Sequence, residues 1–240
     1  MPPRPGASVS NLLDAASQMF RATLLKCLPF AMLAVLCLEI PNLYWVASGH
    51  TLTFGLPSDP SYWLLAYPAL AVAIFIVSAM MLRQRAFASG ASIDSTTELV
   101  AAARRLPYIL LGWVLAQLSL FVGFMLLVLP GIFLSVCYVV LLPVLLFENL
   151  NPYAALVRSV QLMRPHWWKA LATLVIAVLA VLICTLAAAA LLSIVAALLG
   201  GQGSAVQAIV AAVTVGVWAI GCVFGSALAL TLHSAASSSA

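Results

Sequence analysis

The chain has 240 residues, 65% of them hydrophobic and only 7% charged, with a net charge of +4. Soluble domains carry roughly 25% charged residues, so these few charges cannot cover a water-facing surface, and lipid is the expected solvent for most of the chain. The positive balance does not point to nucleic acid, because no basic cluster reaches the roughly five to eight residues that such a patch needs.

A hydrocarbon core of about 30 Å requires roughly 20 apolar residues per helix. Runs near that length fall at 28–47, 62–82, 107–129, 131–147, 167–199 and 204–233. A transmembrane β-barrel would show alternating segments of about 10 residues; the runs here are long and continuous, so helices are expected. The fold class is all-α: one polytopic membrane domain over 1–240, with six transmembrane helices and short amphipathic interfacial helices on the cytoplasmic side.

In chain order, residues 1–27 form a cytoplasmic tail in which Asn11 can cap a helix and Leu12, Leu13, Ala16, Phe20 and Leu24 share a face. This tail holds Arg4, Asp14, Arg21 and Lys26 without an apolar core followed by a cleavage site, so the first span is expected to serve as an uncleaved signal. In that span Glu39 lies about 16 Å from the start, near the bilayer midplane. An ionisable side chain at that depth is by default a functional-site candidate. No Lys or Arg reaches it, and its expected partners are Asn42 and Gln117. The alternative is that Pro41 ends the helix early, Tyr44 and Trp45 form the outer aromatic belt, and Glu39 reaches headgroups.

The second loop, 83–106, carries Ser95-Thr-Thr-Glu98, a capping-box pattern, followed by Leu99, Ala103 and Leu106 on one face. Between the third and fourth runs stand only Pro130 and Gly131; a proline that cannot continue a helix and a glycine that turns easily predict a tight outer hairpin there. The fourth loop, 148–166, opens with Asn151-Pro152, a cap and a first-turn proline. Tyr153, Leu156, Val157, Val160 and Met163 then share a face. The loop helices fit the interface, apolar side toward acyl chains, or else pack on the cytoplasmic end of the bundle. The tail and the two loops repeat one plan, an amphipathic helix leading into a transmembrane hairpin, with unequal spacing. GGQGS at 200–204 separates the last two runs as a short turn.

Lys and Arg concentrate in cytoplasmic loops. All ten lie in or directly beside the tail (Arg4, Arg21, Lys26), the second loop (Arg83, Arg85, Arg104, Arg105) or the fourth (Arg158, Arg164, Lys169). A six-span chain with both termini in the cytoplasm puts every one of them on the same side.

Glu148 closes the fourth span, where a carboxylate opposes the helix dipole. The expected relief is an ion pair with Arg158 or Arg164. The functional alternative is an anionic-lipid headgroup site made from Arg158, Arg164 and Lys169, with Trp167 and Trp168 at the interface. Gly221-Cys-Val-Phe-Gly225, extended by Ala229, has the small-residue spacing that permits close helix approach, within the chain or between copies in a homo-oligomer.

The five cysteines, Cys27, Cys37, Cys137, Cys184 and Cys222, are scattered through apolar runs with no C-x-x-C pair, and read as packing residues. His50, His166 and His233 lie on different elements without metal-ligand spacing. No cofactor and no metal are expected, and with six acidic residues in all, no catalytic pair is expected either.

Segment 129–169 resembles the YciC-like family of bacterial inner-membrane proteins, and related patterns occur in the membrane domain attached to some glycerophosphodiester phosphodiesterases. The features that carry the resemblance are Leu129-Pro130-Gly131, Pro143, Glu148, Ala154 or Ala155, Arg158-Ser159, and an aromatic residue at Trp167 or Trp168. It implies a six-helix protein of the bacterial inner membrane with no established catalytic residues, in a lipid or envelope context; the phosphodiesterase part has no counterpart here. The expectation is a non-catalytic protein of lipid or cell-envelope organisation, with membrane lipids, anionic ones among them, as partners. The alternative is a transporter or exporter of a small or lipidic substrate, for which intramembrane polarity beyond Glu39, Asn42, Gln117 and a few Ser and Thr is sparse.

Overall fold

The computed structural model describes residues 8–49, 59–90, 95–198 and 204–238. No strand occurs among them, and six helical stretches are long and apolar enough to cross a membrane.

Helix α1 spans Val9–Ala47 and is capped by Ser8, whose Oγ accepts from the Asn11 amide at 3.3 Å. This corrects the sequence reading, which capped a separate tail helix with Asn11 and began the span at 28. Tail and span are one helix because nothing between them breaks the ladder. Pro29 and Pro41 both lie inside α1, so Pro41 does not end it; a helix in lipid has no better alternative for its backbone and tolerates proline. The tail's apolar face is buried in the bundle, with Leu12 and Ala16 in the main core.

Helix α2 (Pro60–Ala88) starts at an Asp59 cap, and α3 runs unbroken over Ser95–Leu126. The second loop thus holds no separate interfacial helix: its amphipathic part is the first turns of α3, and Pro107 is accommodated inside. The hairpin turn is Leu127, extended at φ −165° and ψ 148°, and not Pro130-Gly131. Pro130 is the third residue of α4 (Val128–Cys137), a position where no intrahelical donor is needed. Gly131 instead permits close approach: a Cβ there would lie 2.4 Å from the Phe124 ring, and one at Gly123 would lie 3.3 Å from the Gly131 Cα.

The fourth span is interrupted by a 3₁₀ turn at Tyr138–Val140 before resuming as α5 (Leu141–Phe147). Pro143 removes the donor that would reach the Val139 carbonyl, and the turn ahead of it tightens. Asn149, at φ 55°, then turns the chain in the left-handed region that asparagine tolerates. Helix α6 (Pro152–Met163) begins at Asn151, whose side chain accepts from the Ala154 amide at 2.7 Å. A 3₁₀ turn leads into α7 (Trp167–Leu198), and α8 covers Ser204–Ser237. The Gly-rich connection at 199–203 lies outside the described residues.

Helix α1 packs along α2 and α8, α2 meets α3, α3 folds back on α4, and α7 leans on α8. The largest core joins Leu12 and Ala16 to α5, α6 and the C-terminal half of α8. A second core between α1, α2 and α8 holds Cys27, Ala31, Met80 and Val223. Packing is dense at this end of the bundle. Further along, α7 leaves Val178, Ile183 and Leu191 more than 60% exposed, a surface suited to acyl chains.

The hairpin gives a first prediction. Gly131→Ala forces the Phe124 ring aside and costs about 1–3 kcal/mol by overpacking. With Phe124→Ala in place, the same change gains helix propensity, about 1 kcal/mol. Thermal unfolding in detergent is expected to show destabilisation in the first background and none in the second; equal losses in both would contradict the contact.

Candidate functional site

One end of the bundle collects the basic residues. The last turns of α2 present Arg83, Gln84 and Arg85 toward three different neighbours. The Arg83 Nε meets Glu98 Oε2 on α3 at 2.9 Å, with the side chains 15% and 2% exposed. Its Nη1 donates to the Lys26 carbonyl of α1 at 3.2 Å, and its guanidinium lies 4.5 Å over the Phe30 ring. Arg83 thereby ties α1, α2 and α3. Gln84 is fully buried and donates from Nε2 to the Val223 carbonyl of α8 at 3.1 Å, while its Oε1 has no hydrogen-bond partner.

Glu148 is the second junction. Set just beyond α5 by the Asn149 turn, its carboxylate is held on both oxygens: Arg158 Nε lies 3.1 Å from Oε2, and His233 Nε2 of α8 lies 3.0 Å from Oε1. The Asn151 cap sets the phase of α6 that brings Arg158 back over Glu148. Arg85 lies against the neighbouring Phe147, its guanidinium 3.9 Å over the ring.

Of the residues expected to form a headgroup site, Arg158 is thus engaged by Glu148. Arg164 and Lys169 are exposed on the turn and first helical residues beyond it. Trp167 and Trp168 stack with centroids 4.0 Å apart, Trp167 resting on Phe133 and Trp168 68% exposed. They form a basic and aromatic rim beside the junction.

At the far end, Glu39 Oε2 accepts from Asn42 Nδ2 at 3.2 Å, and Asn42 Oδ1 accepts from the Tyr62 hydroxyl of α2 at 3.0 Å. Tyr62 makes edge contacts with Trp45 and Trp63. Glu39 lies about 20 Å along α1 from Lys26 at the helical rise, so this network belongs to the half of the bundle away from the basic end. Gln117 is exposed on α3 and does not join it. The small-residue motif divides: a Cβ on Gly221 would lie 3.3 Å from Val181 of α7, Ala229 is buried in the core, and Gly225 faces open space.

Between α1, α2, Phe147 and α8 the basic end opens into a cavity of about 500 Å³. Arg85, His233, Gln18 and Ser234 are among its polar lining residues, and Met19 and Leu230 among the apolar walls. A smaller cavity of about 30 Å³ lies between the start of α7 and α8 and includes Lys169 and His166, whose Nδ1 is buried without a hydrogen-bond partner. Among the described residues, no three His, Cys, Asp or Glu side chains stand close enough to hold a metal ion.

These features define an all-α, multi-pass membrane protein. Compared with family models, curated proteins and solved structures, the chain matches none of them.

Sequence reasoning offered Arg158 or Arg164 as the partner of Glu148, of which Arg158 is the one engaged, but missed His233, Arg85, the Arg83–Glu98 pair and Gln84. His233 and Glu148 are 85 positions apart, and Gln84 and Val223 are 139 apart; no local pattern links them. The one available signal was Glu98, a carboxylate in a chain with few of them, fifteen residues from Arg83 across the second loop.

The two ion pairs should differ in weight. Glu98→Ala takes its carboxylate partner from a mostly buried Arg83, a loss of about 3 kcal/mol. Arg158→Ala removes a half-exposed partner, worth roughly 1 kcal/mol or less. Thermal unfolding in detergent checks the order, and a larger loss for Arg158→Ala would refute it.

Proposed function

We propose that this is a non-catalytic protein of the bacterial inner membrane, with both termini in the cytoplasm, that organises lipid or other envelope components by engaging anionic lipid at its basic end. The observation that carries the reading is the rim of Arg164, Lys169 and Trp168, exposed beside the Glu148 junction. Basic residues at a cytoplasmic interface attract anionic headgroups by about 1 kcal/mol each, and an exposed indole suits that depth. The gathering of basic residues at one end supports the orientation through the positive-inside rule. The resemblance of 129–169 to the YciC-like family supports the envelope context. Glu98 and Glu148 are both held by cations, which speaks for structural roles over proton transfer.

The cavity beside Arg85 favours a second reading, a transporter or exporter of a small or lipidic substrate; that reading requires flux of such a substrate in proteoliposomes.

Native mass spectrometry of the protein in membrane discs tests the first reading. Neutralising Arg164 and Lys169 together (Arg164→Gln with Lys169→Gln) should lower the enrichment of anionic over zwitterionic lipid around the protein by about fivefold for each charge removed. Lipid in bulk proportions around the wild type, or enrichment unchanged in the double variant, would reject it.

A further inference from the structure

We infer that the cavity at the basic end is a binding site for a phosphate-bearing amphiphile, with Arg85 as its anion contact. Its charge balance is the first reason. Glu148 is neutralised by Arg158, and Glu98 by Arg83. No described carboxylate lies within ion-pair distance of Arg85. Arg85 therefore brings an uncompensated positive charge to the cavity, with its guanidinium oriented by Phe147. A planar guanidinium matches the oxygens of a phosphate in a two-point contact.

The lining gives the second reason. Arg85, Gln18 and Ser234 contribute polar atoms, and Met19, Phe147 and Leu230 contribute apolar surface. An inorganic anion has no use for the apolar walls, and a hydrocarbon has none for the arginine. The volume of about 500 Å³ lies within the usual range of ligand sites, about 300–1,000 Å³, and far exceeds what a bare phosphate fills.

The position gives the third. The walls come from residues 15–23 of α1 and the last turns of α2 and α8, at the basic end, which the orientation proposed above sets at the headgroup level. His233 joins this wall to the Glu148 junction, so an occupant would touch the side chain that ties α8 to α5 and α6.

This site deepens the lipid reading above but uses none of its residues. The ligand's chemistry is shared by a membrane phospholipid and by a free phosphate compound, and the experiment separates them. Full-length protein in detergent is titrated with phosphatidic acid, phosphatidylcholine and inorganic phosphate, and bound species are counted by native mass spectrometry. The expected result is one tightly held phosphatidic acid, no comparable phosphatidylcholine, and inorganic phosphate displacing the lipid only in large excess. Arg85→Gln should weaken that single site at least about tenfold, the loss of one charge-assisted contact, and Arg85→Lys should restore part of it. Ala22→Trp, which fills the cavity and leaves every charge in place, should also abolish it. The Arg164→Gln/Lys169→Gln variant should keep the site, so that the rim and the cavity fail independently. Inorganic phosphate binding as tightly as phosphatidic acid would overturn the amphiphile. Equal binding of both lipids, or binding unchanged by Arg85→Gln and Ala22→Trp, would overturn the site.

Discussion

Lipid gives apolar helices no hydrophobic reason to prefer one neighbour over another. In a chain with 16 charged residues in 240, arrangement must come from a small number of polar contacts and close approaches. Arg83 reaches α1 and α3 from α2. Gln84 reaches α8. Glu148 gathers α6 and α8 at the end of α5. Every helix except α4 and α7 enters one of these three contacts, and those two are held by packing: α4 by the close approach of Gly123 and Gly131, and α7 by α8 and the Trp167–Phe133 contact. These three contacts lie at the end where the basic residues gather, and dense packing follows them there, while the Asn42–Tyr62 hydrogen bond joins α1 and α2 at the other end.

Much of this was legible from local chemistry. Length and apolarity located six spans, and the asparagine-proline pair at 151–152 marked the start of α6. The proximity of Glu148 and Arg158 followed from a carboxylate at a helix end ten residues from an arginine. Local rules failed where the bilayer changes their weight. Pro29, Pro41 and Pro107 stand inside helices because a broken ladder in hydrocarbon is worse than a disturbed one. The same cost moved the hairpin turn to Leu127 and left Pro130 in the first turn of α4. The separate helices expected in the tail and second loop, at the interface or packed on the end of the bundle, became the first turns of α1 and α3, since no glycine or cap intervened.

Long-range choices were not legible at all. Glu39 was given two partners on equal terms; Asn42 lies one turn away on the same helix and is engaged, whereas Gln117 points outward from α3. The histidine at 233 carried no signal because its significance depends on how α8 passes α5. The small-residue motif on α8 was read as a single face, yet Gly221 meets α7 while Gly225 meets nothing: two helices crossing at an angle diverge within one turn.

Helix α7 has 32 residues, about 48 Å at the helical rise, against a hydrocarbon core of about 30 Å. Its base is held by Phe133 and the stacked tryptophans, and Val178, Ile183, Leu191 and Ile194 further along it are more than half exposed. A helix longer than the bilayer and free on its flank accommodates the mismatch by tilting. An upright α7 would overreach the hydrocarbon core by about 18 Å, so a tilt, or an end carried past the core, follows from its length alone.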